Sequence, residues 1–171
     1  TDSDTDTDTD SDVDCNADYS TPAPGSGGLA ECLTGSLGCG ETIYATNVGG
    51  STFFDKSDYD GGQCSDWAIS EPDDVYDGAE RVYSLAIPAG QYGEITIDSP
   101  CARLDSRLIN TAADCPSSIT NCRAPFYDGP TDWELLTYKS VSGGSDGQAY
   151  EVVVESYVGE TGNFSISLDC F

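Results

Sequence analysis

The sequence predicts an all-β fold, an antiparallel β-sandwich or jelly roll that follows an extended N-terminal tract. Three observations carry this. The apolar runs are short and rich in β-branched and aromatic residues, several alternate with a period of two, and no window holds a helical 3.6-residue period. In FSISL at 164–168, Phe164, Ile166 and Leu168 fall on one face while Ser165 and Ser167 fall on the other. Glycine-containing turns separate many of the runs, as a sandwich of short strands requires.

In chain order, residues 1–14 read TDSDTDTDTDSDVD, with Asp at each even position and Thr or Ser at each odd one except Val13. An extended chain would set Asp2, Asp4, Asp6, Asp8, Asp10, Asp12 and Asp14 on one edge. The opposite edge would carry the hydroxyls of Thr1, Ser3, Thr5, Thr7, Thr9 and Ser11, a regular array of O-glycosylation points. The tract reads either as a solvated linker or as a ribbon held straight by cations, glycans or a partner surface. Residues 15–28, with DYSTPAPGSGG from 18 onward, form a Pro/Gly/Ser connector, and the domain proper is expected over 29–171. Within it the expected strands are 42–46, 51–54, 81–87, 93–98, 107–110, 133–138, 150–156 and 163–169.

The 171 residues leave room for one domain and an appendage. With 31 acidic and 6 basic side chains the formal charge is −25, which excludes nucleic acid and anionic membrane surfaces as partners, since both need a Lys/Arg footprint. There is no His, so imidazole catalysis and the usual zinc ligand sets are absent. No apolar run approaches the ~18 residues of a membrane span, so membrane insertion is not expected. A chain that starts at Thr1 with no basic-then-apolar leader is expected to be a mature exported product.

Eight cysteines without CxxC pairs or His partners point to disulfides and an extracellular setting. Cys115 and Cys122 flank the short PSSITN excursion, and a local bridge is expected there. The other pairings considered are Cys39 with Cys64, Cys32 with Cys170, and Cys15 with Cys101; the last would anchor the tract at its exit.

A second acidic block, from 55 to 80, places Asp55, Asp58, Asp60, Asp66, Asp73, Asp74, Asp77 and Glu80 on turn-forming sequence. Ca2+ takes carboxylate and carbonyl oxygens of this kind, and these eight side chains are the candidate ligands. The alternative is a solvated acidic loop. Asp58-x-Asp60-Gly-Gly lacks the downstream Glu of an EF-hand. A smaller cluster comprises Asp128, Asp132 and Glu134. Trp67, Tyr76, Tyr127 and Trp133 could form a sugar-binding row but are expected to plug the ends of the sandwich. The acids sit mostly in polar, Gly-rich runs, without the apolar pocket that a glycosidase acid needs, so no catalytic residues are expected. The sequon Asn163-Phe-Ser165 lies inside an expected strand and reads as chance.

The order LGCGETI (37–43), CSDW (64–67), AERVYSLAIP (79–88), RLDSRLI (103–109) and YEVVVESYVGETGNFSISLDC (150–170) resembles the bacterial pre-peptidase C-terminal (PPC) type of β-sandwich over about residues 32 to 171. The C-terminal stretch carries most of the likeness. Arg107 stands where the family usually has an apolar residue. The resemblance implies a fold and an extracellular setting, in secreted acidic proteins of the myxobacterial kind whose Asp/Thr/Ser repeats act as linkers. It also implies a non-catalytic module that binds calcium, polysaccharide or a neighbouring protein. Two functions follow: a subunit of a surface filament, self-associating through the tract, or an accessory module of a larger secreted hydrolase or adhesin.

Overall fold

The computed structural model describes residues 12–54, 58, 78–102, 104–110, 115, 119, 122–126, 135–142, 148–156 and 159–171. Among the described residues there are nine strands: β1 (Leu33–Leu37), β2 (Glu41–Thr46), β3 (Glu80–Ile87), β4 (Tyr92–Asp98), β5 (Leu104–Asn110), β6 (Cys122–Phe126), β7 (Leu135–Ser142), β8 (Gln148–Ser156) and β9 (Asn163–Cys170). They form a five-stranded sheet ordered β1-β3-β8-β5-β6 and a four-stranded sheet ordered β2-β9-β4-β7. The chain changes sheet at each connection except β5 to β6, and so builds the two layers together. The smaller sheet is wholly antiparallel. The larger one departs from the antiparallel expectation at its edge, where β1 runs parallel to β3. A parallel pair needs a crossover, and β2 supplies it by passing through the other sheet.

The period of two places the core. Tyr83, Leu85 and Ile87 of β3, Tyr150, Val152 and Val154 of β8, Leu104 and Leu108 of β5, Ile95 and Ile97 of β4, and Phe164, Ile166 and Leu168 of β9 meet between the sheets. The outer face of the five-stranded sheet is also covered: Val82, Val153 and Ile109 pack there with Cys32, Leu33, Phe54 and Ile119. That sheet is therefore buried on both sides, and β8, with Tyr150 to Ser156 all buried, is its spine.

Two expectations about strands change. Segment 51–54 makes a single bridge, Ser51 to Glu80, because the amides of Phe53 and Phe54 point at the Glu80 carboxylate instead of a neighbouring ladder. Strands β1 and β6 were not foreseen, since β1 (LTGSL) holds Gly35 and Ser36, and β6 (CRAPF) holds Pro125. Proline is tolerated because β6 is an edge strand.

Of the disulfide expectations, Cys15–Cys101 is present, with Cα atoms 5.2 Å apart. The other three pairings are corrected. Cys39 bonds Cys170, not Cys64, because the β2–β9 register that sets Glu41 opposite Leu168 sets Cys39 opposite Cys170 when continued by two residues. Cys32 therefore bonds Cys115 and not Cys170. Cys115 is turned away from Cys122 by its own backbone: its φ is 54°, and its amide donates to Glu151 Oε1 at 2.9 Å, which fixes it over β8. Cys64 lies outside the described residues.

A non-reducing peptide map is expected to show Cys15–Cys101, Cys32–Cys115 and Cys39–Cys170, with no cysteine labelled by alkylation before reduction. A Cys115–Cys122 peptide would contradict the fold. Replacing Cys39 and Cys170 by Ser opens a closure of 131 residues and is expected to cost about 2–5 kcal/mol in denaturant unfolding.

Candidate functional site: an anchored N-terminal strap and a covered acidic face

Residues 12–22 are fastened to the end of the sandwich where β2 finishes and β9 starts. Val13 is buried, and Asp14 closes a turn by accepting the Asn16 amide on Oδ1 at 2.8 Å and the Ala17 amide on its carbonyl at 3.1 Å. Asn163, the first residue of β9, donates from Nδ2 to the carbonyls of Asp14 and Ala17, both at 2.9 Å. The Cys15–Cys101 bond fixes the same turn covalently. Further along, the rings of Tyr19 and Tyr44 lie 5.8 Å apart, and the Thr46 amide at the end of β2 donates to Thr21 Oγ1 at 2.9 Å.

Arg81 completes the attachment. Its side chain is 2% exposed and donates from Nε to the Thr46 carbonyl at 2.9 Å, from Nη1 to Pro22 at 2.8 Å and from Nη2 to Val48 at 2.5 Å. Burial pushes the guanidinium below its ordinary value, with Tyr83 acting the other way, yet an arginine of this kind keeps its proton. Asn47 beside it accepts the Gly162 amide at 2.7 Å and donates to the Ala79 carbonyl at 3.3 Å. Strap, β2, the turn after it and the approach to β9 thus share one polar cluster.

The second feature lies on the outer face of the five-stranded sheet. Glu80, Glu151, Glu155 and Arg107 are all buried there. Glu80 Oε1 accepts the Ser51 hydroxyl at 3.0 Å, the Phe54 amide at 3.1 Å and the Phe53 amide, so one carboxylate latches the 51–54 arm to β3. Burial raises the Glu80 pKa above its ordinary 4.5; the two amides and the hydroxyl oppose that rise, and the Asp58 charge adds to it. Glu155 stands opposite Glu80 in the ladder and 3.7 Å from Arg107 Nε. Two glycines permit the close packing: a Cβ on Gly78 would sit 2.0 Å from the Ser156 carbonyl oxygen, and one on Gly50 would sit 2.3 Å from that of Glu80.

Of the eight candidate calcium ligands, Asp58 and Glu80 are described, and they are near enough for the charge of one to act on the other. Asp55, Asp60, Asp66, Asp73, Asp74 and Asp77 lie outside the described residues, as do Asp128, Asp132, Glu134, the rings of Trp67, Tyr76, Tyr127 and Trp133, and the hydroxyls of Thr1, Ser3, Thr5, Thr7, Thr9 and Ser11. Among the described residues no group of three or more His, Cys, Asp or Glu side chains converges on a metal position. The sequon is settled by geometry: Asn163 is 7% exposed, and both hydrogens of its amide nitrogen go to the strap. Arg81, Asn47 and Asn163 were missed as site residues. The available signal was a charge or amide placed inside or at the end of a strand.

No protein-family model matches the sequence, and no curated protein matches it. Among solved structures, the chain is similar to the pre-peptidase C-terminal domain of collagenase from Bacillus anthracis, at 13% identity and a TM-score of 0.45, over 82% of this chain and 100% of that one. It is also similar to PliG of Aeromonas hydrophila, a periplasmic inhibitor of g-type lysozyme, at 11% identity and a TM-score of 0.43, over 80% and 99%. A third similar structure is CorA, a surface-associated copper-binding protein of Methylomicrobium album, at 7% identity and a TM-score of 0.43, over 81% and 98%. Among the described residues no helix is long and apolar enough to cross a membrane.

Replacing Arg81 by Ala removes a buried side chain together with its hydrogen bonds to the Pro22, Thr46 and Val48 carbonyls and is expected to cost about 2–4 kcal/mol; Lys, which lacks the planar fork, is expected to recover less than half of that in the same denaturant titration. Glu80→Gln tests the latch. The folded carboxyl resists ionisation, so its contribution is fully present below pH 4.5 and is lost as pH rises through the raised folded value. The Tm of Glu80→Gln minus that of the parent is therefore expected to move in favour of Gln as pH rises from 4.5. A pH-independent difference would show that burial does not hold the proton.

Proposed function

We propose that this chain is a non-catalytic structural protein of the cell exterior, a filament subunit whose N-terminal tract joins it to the next copy. The supporting observation is the strap. A spacer that merely tethers a domain needs no fixed exit, whereas here a disulfide, the Asn163 amide and the Arg81 guanidinium all hold residues 14–22. The three disulfides fit an oxidising compartment. Joining two copies brings the Asp edge of the tract against a body of the same sign, so the contact requires cations. Calcium, held by the tract and by the carboxylates of 55–80, fills that role in this reading, and O-linked glycans on the hydroxyl edge keep the tract extended. The second reading, an accessory module of a larger secreted protein, is favoured by an exposed aromatic pair on the four-stranded sheet.

Deleting residues 1–11 spares Val13, Cys15 and the whole strap. The truncated protein is expected to melt within a few degrees of the parent and to form no filaments in negative stain. Filaments of normal length from the truncated protein would end the filament reading. EDTA is expected to disperse filaments of the full chain and to lower its Tm at low salt, because the acidic block loses its counterions. An unchanged midpoint would remove calcium from the account.

A further inference from the structure

The outer face of the four-stranded sheet ends in an exposed strip of rings and carboxylates. Tyr92 and Phe171 extend the β4–β9 ladder by one pair, each amide donating to the other's carbonyl at 2.9 and 3.0 Å. Their rings stack at 6.3 Å and 23° while remaining 48% and 67% exposed. The next outward-facing pair is Glu94 opposite Asp169, two like charges in direct cross-strand register. One chemistry relieves both features. An organic cation lying over the rings is attracted to their faces and neutralises the carboxylates beside them.

We propose that this strip docks a basic segment of a partner protein, with Arg or Lys side chains over Tyr92 and Phe171 and their charges against Glu94 and Asp169. Charge complementarity selects the partner. The chain carries −25, and two of its six basic residues, Arg81 and Arg107, are buried inside the fold. Among the described residues, the outer face of β2, β4 and β9 presents carboxylates, hydroxyls and rings; β7, on the far side of β4, brings one base, Lys139, opposite Glu94 at the β4–β7 bulge, which leaves Asp169 and the net charge of −25 as the acidic excess. A bare metal ion would ignore the rings, and a neutral glycan would leave the acidic excess beside them unmatched. The strip lies at the Cys170 end of β9, whereas the strap is attached at the Asn163 end, so the site stands or falls independently of assembly through the tract.

The test measures anisotropy of a fluorescein-labelled peptide of alternating Arg and Ser, titrated with the full chain at about 0.15 M salt, where distant surface charges are screened. Tyr92→Ser/Phe171→Ser and Glu94→Gln/Asp169→Asn are each expected to weaken binding about tenfold, the loss of two cation contacts, with Tm near that of the parent. Asp18→Asn/Glu31→Gln, which removes two exposed charges away from the strip, is expected to change affinity less than about twofold. Phe171→Ser alone, at the most exposed ring, serves if the double variant melts early and is expected to give about a threefold loss. Equal weakening by the Asp18/Glu31 pair would reduce the attraction to general polyanion charge and overturn the proposal. So would unchanged binding by the ring variants, or ring-dependent binding of cellohexaose with none of the peptide.

Discussion

Everything at the N-terminal end of the molecule depends on one buried guanidinium. Arg81 sits in β3, yet its three carbonyl acceptors come from the strap, the end of β2 and the turn that follows. Neutral carbonyls carry partial charges that converge on it, and the planar guanidinium presents Nε, Nη1 and Nη2 to all three in a fixed geometry. Asn47 and Asn163 extend the cluster to the segment entering β9, so the two layers and the strap are registered against each other before any apolar packing is counted.

The five-stranded sheet poses a different problem, because it is buried on both faces while half of its outer residues are charged. Burial of a carboxylate is tolerated only where donors meet it. Glu80 meets them by binding the arm that covers it, and Glu151 does the same for the backbone at Cys115. The acidic side chains are thus the fasteners of the covering segments. Apolar residues between them, Val82 and Val153, supply the area that is removed from water.

The period of two in FSISL and in VYSLAI was legible because one face of each strand meets the core whatever covers the other. It could not reveal that the second face of β3 and β8 is covered as well, since alternation looks the same against water and against a loop. Arg107 illustrates this: it read as a charge at an apolar position and proves to face the covered side, with Leu108 turned to the core. Spacing misled where backbone geometry decides. Cys115 and Cys122 are close in sequence, but a left-handed φ and an amide bond to Glu151 aim Cys115 at Cys32. The anchoring of the strap was legible in one bond, Cys15–Cys101, and hidden in the rest because side chain to carbonyl contacts leave no periodic trace.

The wiring of the sandwich also fixes when it can fold. Among the described strand pairs only β5–β6 joins neighbours in sequence; β2 waits for β9, and β3 waits for β8. Each of the described disulfides likewise links a cysteine before residue 40 to one beyond residue 100. Such long-range closure slows folding, because the loop entropy is lost before the contacts that compensate it have formed. A partly made chain therefore holds little of either sheet beyond the β1–β3 and β5–β6 pairs. Once β9 arrives it inserts between β2 and β4, and collapse, pairing and oxidation can follow in the compartment that holds the finished protein.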